Sequence, residues 1–290
     1  MKTPVAASLA IALALVVSAC GSESEGGSEG PTISATTGVL ADITEQIAGD
    51  DARVEQVIPE GSSPHDFQLS ADDRAQIDDS ILLVSNGLGL EPGIPVDQVD
   101  SPTFALTEEA GGSDPHLWMD PTRVAAALPA LAEALAQADP EHAEGYRSRA
   151  RSYAAELETL DGELREMLAG VPEDERELVT SHDALGYFAA RYGFTIVATP
   201  FPASGVEAEP SATRIRDVEE VIRRTGVPAV FAEEGDNPEV LEMIADETGV
   251  EVVDDLLVEA PGSAGSYVEM LRHDAELIAE ALGRGGAAGA

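Results

Sequence analysis

The sequence predicts an α/β protein of two lobes, each a mostly parallel sheet flanked by helices, bridged by one long rigid helix. Three observations carry this. Short apolar runs of strand length alternate with amphipathic helical stretches in both halves, and such alternation implies parallel sheets. Between the halves, residues 140–168 hold an unbroken helical period, with Tyr146, Tyr153, Leu157, Leu160, Leu164 and Leu168 on one face. At 290 residues the chain is too long for one small domain and fits two of ordinary size. The expected layout is a leader over 1–19, an acidic Gly/Ser tether over 20–30, an N-terminal lobe over 31–139, the bridging helix over 140–170 and a C-terminal lobe over 171–290.

Taken in order, the chain opens with Lys2 and an apolar run over 5–17, too short for a permanent membrane helix. It ends in Val17-Ser18-Ala19-Cys20, small residues leading to a cysteine, which reads as an export signal with a lipid-attachment site. The usual pattern has leucine where Val17 stands. Lipidation at Cys20 would place the protein outside the cytoplasm, anchored to the cell membrane.

The first lobe begins with a strand over 32–36 and a helix over 38–48, whose Val39, Leu40, Ile43 and Ile47 share a face. A strand over 53–58 runs into the loop Pro59-Glu60-Gly61-Ser62-Ser63-Pro64-His65-Asp66. Ser70 caps a helix over 71–78, and residues 81–85 form a short buried strand. Asn86-Gly87-Leu88-Gly89-Leu90-Glu91 follows; its glycine pair lacks the third glycine of a dinucleotide fingerprint. A strand over 103–106 leads to Asp114-Pro115-His116-Leu117-Trp118-Met119-Asp120-Pro121, which two prolines keep out of regular structure. A helix spans 121–138.

Beyond the bridging helix, strands are expected over 177–180, 194–198, 228–232 and 250–253. Helices are expected over 184–192, 211–225, 238–248 and 266–282.

Composition bounds the function. The formal net charge is −39, from 55 acids against 16 bases, and Lys2 is the only lysine. Such a surface repels nucleic acid and concentrates cations, although a solvated acidic coat alone accounts for most of it. The single cysteine excludes an internal disulfide framework and a thiolate zinc cluster.

Three of the five histidines share one local grammar. His65, His116 and His182 each follow a predicted strand, and each has an acid within two residues. Ligand sites in parallel sheets lie beyond the carboxyl ends of the strands, so the three are expected to meet between the lobes. Taken singly, each is more often a structural residue than a ligand. Taken together they suggest a zinc site closed by a carboxylate, with the neighbouring acids orienting the rings. His142 and His273 lie on predicted helices and are set aside.

The chain resembles the substrate-binding lipoproteins of ABC-type zinc and manganese importers. The likeness rests on Ser63-Pro64-His65-Asp66-Phe67, the Ser85–Glu91 stretch, the Asp114–Pro121 turn and the Ser181–Gly193 stretch that opens Ser181-His182-Asp183. Glu209-Pro210-Ser211, Val230-Phe231-Ala232-Glu233 and Tyr267-Val268-Glu269-Met270-Leu271-Arg272 extend it across nearly the whole mature chain. The resemblance implies two lobes bridged by a rigid helix, with the cargo held by His65, His116, His182 and a late carboxylate. Glu259 fits that last position best, with Asp254 and Asp255 as rivals. Histidine at the third position favours Zn²⁺ over Mn²⁺. The implied partners are an ABC permease and its ATPase, with the binding protein a monomer and no enzyme. The histidine-rich loop of many zinc members is replaced here by Ala110-Gly111-Gly112-Ser113. A secreted zinc hydrolase and a surface adhesin are the readings from other classes; no His-Glu-x-x-His helix supports the first.

Overall fold

The computed structural model describes residues 30–201, 210–234 and 239–285. The expected leader, Cys20 and nearly all of the tether fall outside these residues.

Four strands form the N-terminal sheet: β1 (Thr32–Ala35), β2 (Arg53–Gln56), β3 (Leu82–Ser85) and β4 (Thr103–Ala105). Their spatial order is β2-β1-β3-β4 and every pairing is parallel. Helix α1 (Gly38–Ala48) packs on this sheet through Val39, Leu40, Ile43 and Ile47, all buried. The Thr37 side chain accepts from the Leu40 amide at its start. Helix α2 (Ala71–Asp79) starts at a reciprocal box between Ser70 and Asp73, which offsets its weak apolar face.

The expected strand over 103–106 is shorter than predicted. It stops at Ala105, and Leu106–Ala110 turns into a short helix, α3, whose Leu106 is fully buried. Helix α4 (Pro121–Ala138) carries Pro at its first position and an Asp120 cap, whose Oδ1 accepts from the Thr122 amide. A short turn then leads into α5 (Ala143–Leu168).

Helix α5 packs against α4, α1 and the final helix α9 (Tyr267–Gly285). Its predicted face is buried as expected, and Leu157, Leu160 and Leu164 are fully enclosed. Burying each such side chain stabilises the fold by about 1.5–3 kcal/mol. One continuous apolar core runs from Ile33 in β1 through this face to Leu282 in α9. Asp161, almost buried on α5, receives a two-pronged bond from Arg191 at 2.8 and 2.7 Å, tying α5 to helix α6 (Gly186–Tyr192).

The C-terminal strands are β5 (Glu177–Val179), β6 (Thr195–Ala198), β7 (Ala229–Glu233) and β8 (Glu251–Leu256), paired in parallel as β5–β6 and β7–β8. A bridge between Thr180 and Phe231 joins the two pairs. Helices α7 (Ala212–Thr225) and α8 (Glu239–Thr248) flank them, and Ser211 caps α7 as expected. Among these C-terminal elements three boundaries move by two residues or more, and one of them is the end of α9, at Gly285 instead of residue 282. Helix α6 starts at Gly186 instead of residue 184, because 181–185 form the turn that holds His182. Strand β8 runs to Leu256 instead of 253, across a register shift beside Glu233 and with Asp255 at φ 71°.

Candidate metal centre

Each histidine leaves the sheet region by a different local device. His65 follows β2, and the bonds that shape its loop are local: Ser62 N–H to Pro59 O, and Asp66 and Phe67 N–H to Ser63 O. Gly93 lets a neighbouring segment press on this loop, since a Cβ there would lie 1.9 Å from the Phe67 carbonyl oxygen. His116 sits in the proline-bracketed turn, which is anchored from outside. Asn86 donates its side-chain amide to Pro115 O at 2.9 Å, while the Asn86 backbone N–H and the Thr36 hydroxyl both donate to the buried Glu91 carboxylate. Burial pushes the Glu91 carboxyl above its usual range, against those hydrogen bonds. His182 lies in the turn after β5, where Thr180 Oγ1 donates to the His182 carbonyl at 2.7 Å.

These devices bring the three rings together. Ring centroids are 5.5 Å apart for His65–His116, 6.0 Å for His65–His182 and 5.3 Å for His116–His182. One ligand atom from each lies within 4.8 Å of the others. Three nitrogens around one tetrahedral zinc stand roughly 3.3 Å apart, given bonds of about 2.0–2.1 Å, so modest ring movements would close the set. The Nε2 atoms of His65 and His116 are buried without a hydrogen-bond partner among the described residues.

The tautomers follow from the partners. Asp114 Oδ1 lies 2.8 Å from His116 Nδ1 and also accepts the His116 backbone N–H at 2.9 Å. A carboxylate only accepts, so the ring proton sits on Nδ1 and the Nε2 lone pair faces the cluster. Burial works to raise the Asp114 carboxyl, but the His116 bonds hold it below the usual range, and it stays charged. His182 is oriented differently. The Glu233 carboxylate, from the end of β7, closes on its Nδ1, and Ser181 Oγ donates to the same oxygen at 2.9 Å. Burial and the two neighbouring imidazoles push His65 down to about 4, leaving it neutral at ordinary pH.

The expectation that sequence-adjacent acids orient the rings therefore holds for His116 alone. Asp66 and Asp183 are exposed, and a residue 51 positions after His182 does the work for that ring. Sequence reading placed Glu233 in a matching stretch but gave it no role; an acid closing a buried strand was the available signal.

A cavity of about 590 Å³ opens on the cluster, lined in part by His65, His182, Glu233, Glu234 and Glu259. Glu259 Oε1 stands 3.7 Å from His65 Nε2. Its rivals lie elsewhere: Asp254 and Asp255 are exposed in β8, and the Asp255 carbonyl faces the His273 ring at 2.9 Å. His142 Nδ1 is hydrogen-bonded to Asp139 at 2.7 Å and its ring meets Tyr146 edge-on at 6.3 Å, at the turn between α4 and α5. The Ala110–Ser113 loop carries no ligand. Arg123 donates to Gly111 O, and a Cβ on Gly112 would lie 2.0 Å from Tyr187 Oη, so the loop is pressed onto the protein body.

Three buried imidazoles beside a carboxylate-lined cavity, at the carboxyl ends of parallel strands, define a receptor for a metal ion in an α/β frame. Residues 33–281 match the family described as ZnuA, the zinc-uptake complex component A, periplasmic, and the chain belongs to that family. The manganese-binding lipoprotein MntA of Halalkalibacterium halodurans is 31% identical over 288 residues, covering 93% of this chain and 95% of the relative. The iron-binding protein YfeA of Yersinia pestis is 30% identical over 264 residues, covering 85% and 84%. Among solved structures, the periplasmic zinc-binding protein TroA of Treponema pallidum superposes with a TM-score of 0.81 at 27% identity, covering 87% of this chain and 99% of that one. The metals named across these relatives differ, while the fold is shared with TroA. No helix among the described residues is long and apolar enough to cross a membrane.

Proposed function

We propose that this chain is the extracytoplasmic receptor of an ABC importer and that its cargo is Zn²⁺, held by His65, His116, His182 and Glu259. The observation that carries the reading is the trio of ring nitrogens within 4.8 Å, two of them buried and unbonded. Buried polar atoms normally find partners, and a buried ring nitrogen with a free lone pair beside a cavity is available to a ligand. Imidazole nitrogens with one carboxylate suit zinc, whereas manganese takes more oxygen. The similarity to MntA supports a second reading, Mn²⁺ in the same site.

The receptor works as a monomer, tethered through a lipid on Cys20. Its lobes span residues 31–139 and 171–290, with residues 140–170 bridging them, and it hands the ion to a permease driven by a cytoplasmic ATPase. No chemistry occurs on the metal. The test is direct: the chain from Pro31 onward is stripped, titrated with Zn²⁺ and Mn²⁺, and its bound metal counted by mass spectrometry. One tightly held zinc per chain is expected. Preference for manganese replaces the cargo, and absence of any stoichiometric metal overturns the site.

A further inference from the structure

We infer that Trp118 is a positioning residue for the carboxylate of Glu259, acting through a hydrogen bond between its indole and the backbone of the preceding residue. The inference rests on the metal reading above. Trp118 follows His116 by two residues and is buried, with its ring 5.4 Å from the His116 ring. Its Nε1–H donates to the carbonyl of Val258 at 2.7 Å, across 140 positions of sequence. Its own carbonyl accepts the Tyr267 hydroxyl at 2.5 Å, and the Tyr267 backbone N–H donates to Asp42 Oδ2 on α1 at 3.0 Å.

The segment between β8 and α9 is thus gripped at both ends by the N-terminal half. Leu257 N–H is held as well, by the buried Asp274 carboxyl at 2.8 Å. Gly38, at the start of α1, leaves room for the segment to come close: a Cβ there would lie 3.1 Å from the Ala260 Cβ. Glu259 lies between these fixed points. Its Cα is one peptide unit from the Val258 Cα, about 3.8 Å, so fixing the Val258 carbonyl limits where the Glu259 side chain can start. The turn that presents His116 and the segment that presents Glu259 are therefore one hydrogen-bonded unit, although they belong to opposite ends of the chain.

A tryptophan that only fills the core would be served nearly as well by phenylalanine; one that holds Val258 would not. In Trp118→Phe, Zn²⁺ affinity is expected to fall about tenfold, the lower end for losing an outer support of a metal ligand. In a Glu259→Ala background the same substitution should change affinity less than about twofold, because no carboxylate remains to be placed. Tyr267→Phe, which keeps the indole, should show the same pattern with a smaller loss. Amide exchange of the stripped chain supplies a readout without metal: the 257–262 segment should exchange faster in Trp118→Phe while α5 stays protected. Equal affinity losses in both backgrounds, or unchanged exchange of that segment, overturn the inference. A parent chain without stoichiometric metal overturns the metal reading and the ligand-placing part with it, and exchange then still decides whether Trp118 holds the segment.

Discussion

His116 and His65 stand 5.5 Å apart by ring centroid, yet they are held in opposite ways. The His116 turn is fastened to Asn86 just after β3, to the Val258 segment and to α9, and an acid fixes its ring proton. The His65 loop is bonded to itself, its residues 59–62 are exposed, and its ring Nε2, without a hydrogen-bond partner among the described residues, stands 3.7 Å from Glu259. One side of the site is built before any ligand arrives, and the other can adjust. A wholly rigid cluster would bind tightly but release slowly, whereas displacement of one loop opens a coordination position at little cost to the core. Low-stability segments are where such motion is drawn from.

Several variants break or sharpen this contrast. The largest loss is expected from His116→Ala, which removes a preset ligand: zinc affinity should fall by more than about 100-fold in a competition titration, beyond what a lost outer partner does. Retention of tight binding would mean that the anchored side is not the site. Glu233→Gln comes next, at about 10–100-fold, since the His182 ring loses its charged partner. Asp66→Asn is the matched control on the loose side. Its exposed carboxylate touches neither ring, so affinity should shift less than about twofold, in keeping with an exposed surface change.

The loose side also has a pH signature. In the folded, metal-free chain His65 takes a proton only near pH 4, while the unfolded ring takes one near 6.5. Between those values the unfolded ring binds more protons, so the His65 contribution to stability falls as pH is lowered from about 6.5 to about 4, against the opposite contribution of raised carboxyls such as Glu91. Urea unfolding of the parent and of His65→Asn across that window should show the parent losing stability relative to the variant as pH falls. An unchanged slope in the variant would mean that His65 is not desolvated. Smallest in its effect on metal is Gly112→Ala, at φ 140° against Tyr187. It should lower the melting temperature, with about 1–3 kcal/mol lost, while leaving metal stoichiometry unchanged.

Much of this was legible in residue order. The α5 face, the Ser70 and Ser211 caps and the alternation of short apolar runs with helices are local patterns, and local patterns survive folding. The three histidines could be grouped because each follows a predicted strand, although α3 intervenes between β4 and His116, and the topology of parallel sheets gathers strand ends. What stayed hidden was pairing across the chain. Glu233 reaches His182 only because β7 lies beside β5, which nothing in either stretch announces. Asp66 and Asp183 misled for the converse reason: adjacency in sequence fixes neither direction nor contact. The extension of β8 through Asp254 and Asp255 depended on its bulged register with β7, again a partner's property.

The indole beside His116 has one more consequence. Trp118 is the only tryptophan in the chain, and its ring meets the His116 imidazole edge-on at 5.4 Å. When excited beyond the absorption band of the five tyrosines, emission from this protein therefore comes from a single site, next to the atoms that would take up the ion. Any change in that imidazole's charge or orientation alters the field on one indole with no second indole to dilute it. The molecule carries its own occupancy gauge, readable by light without a label.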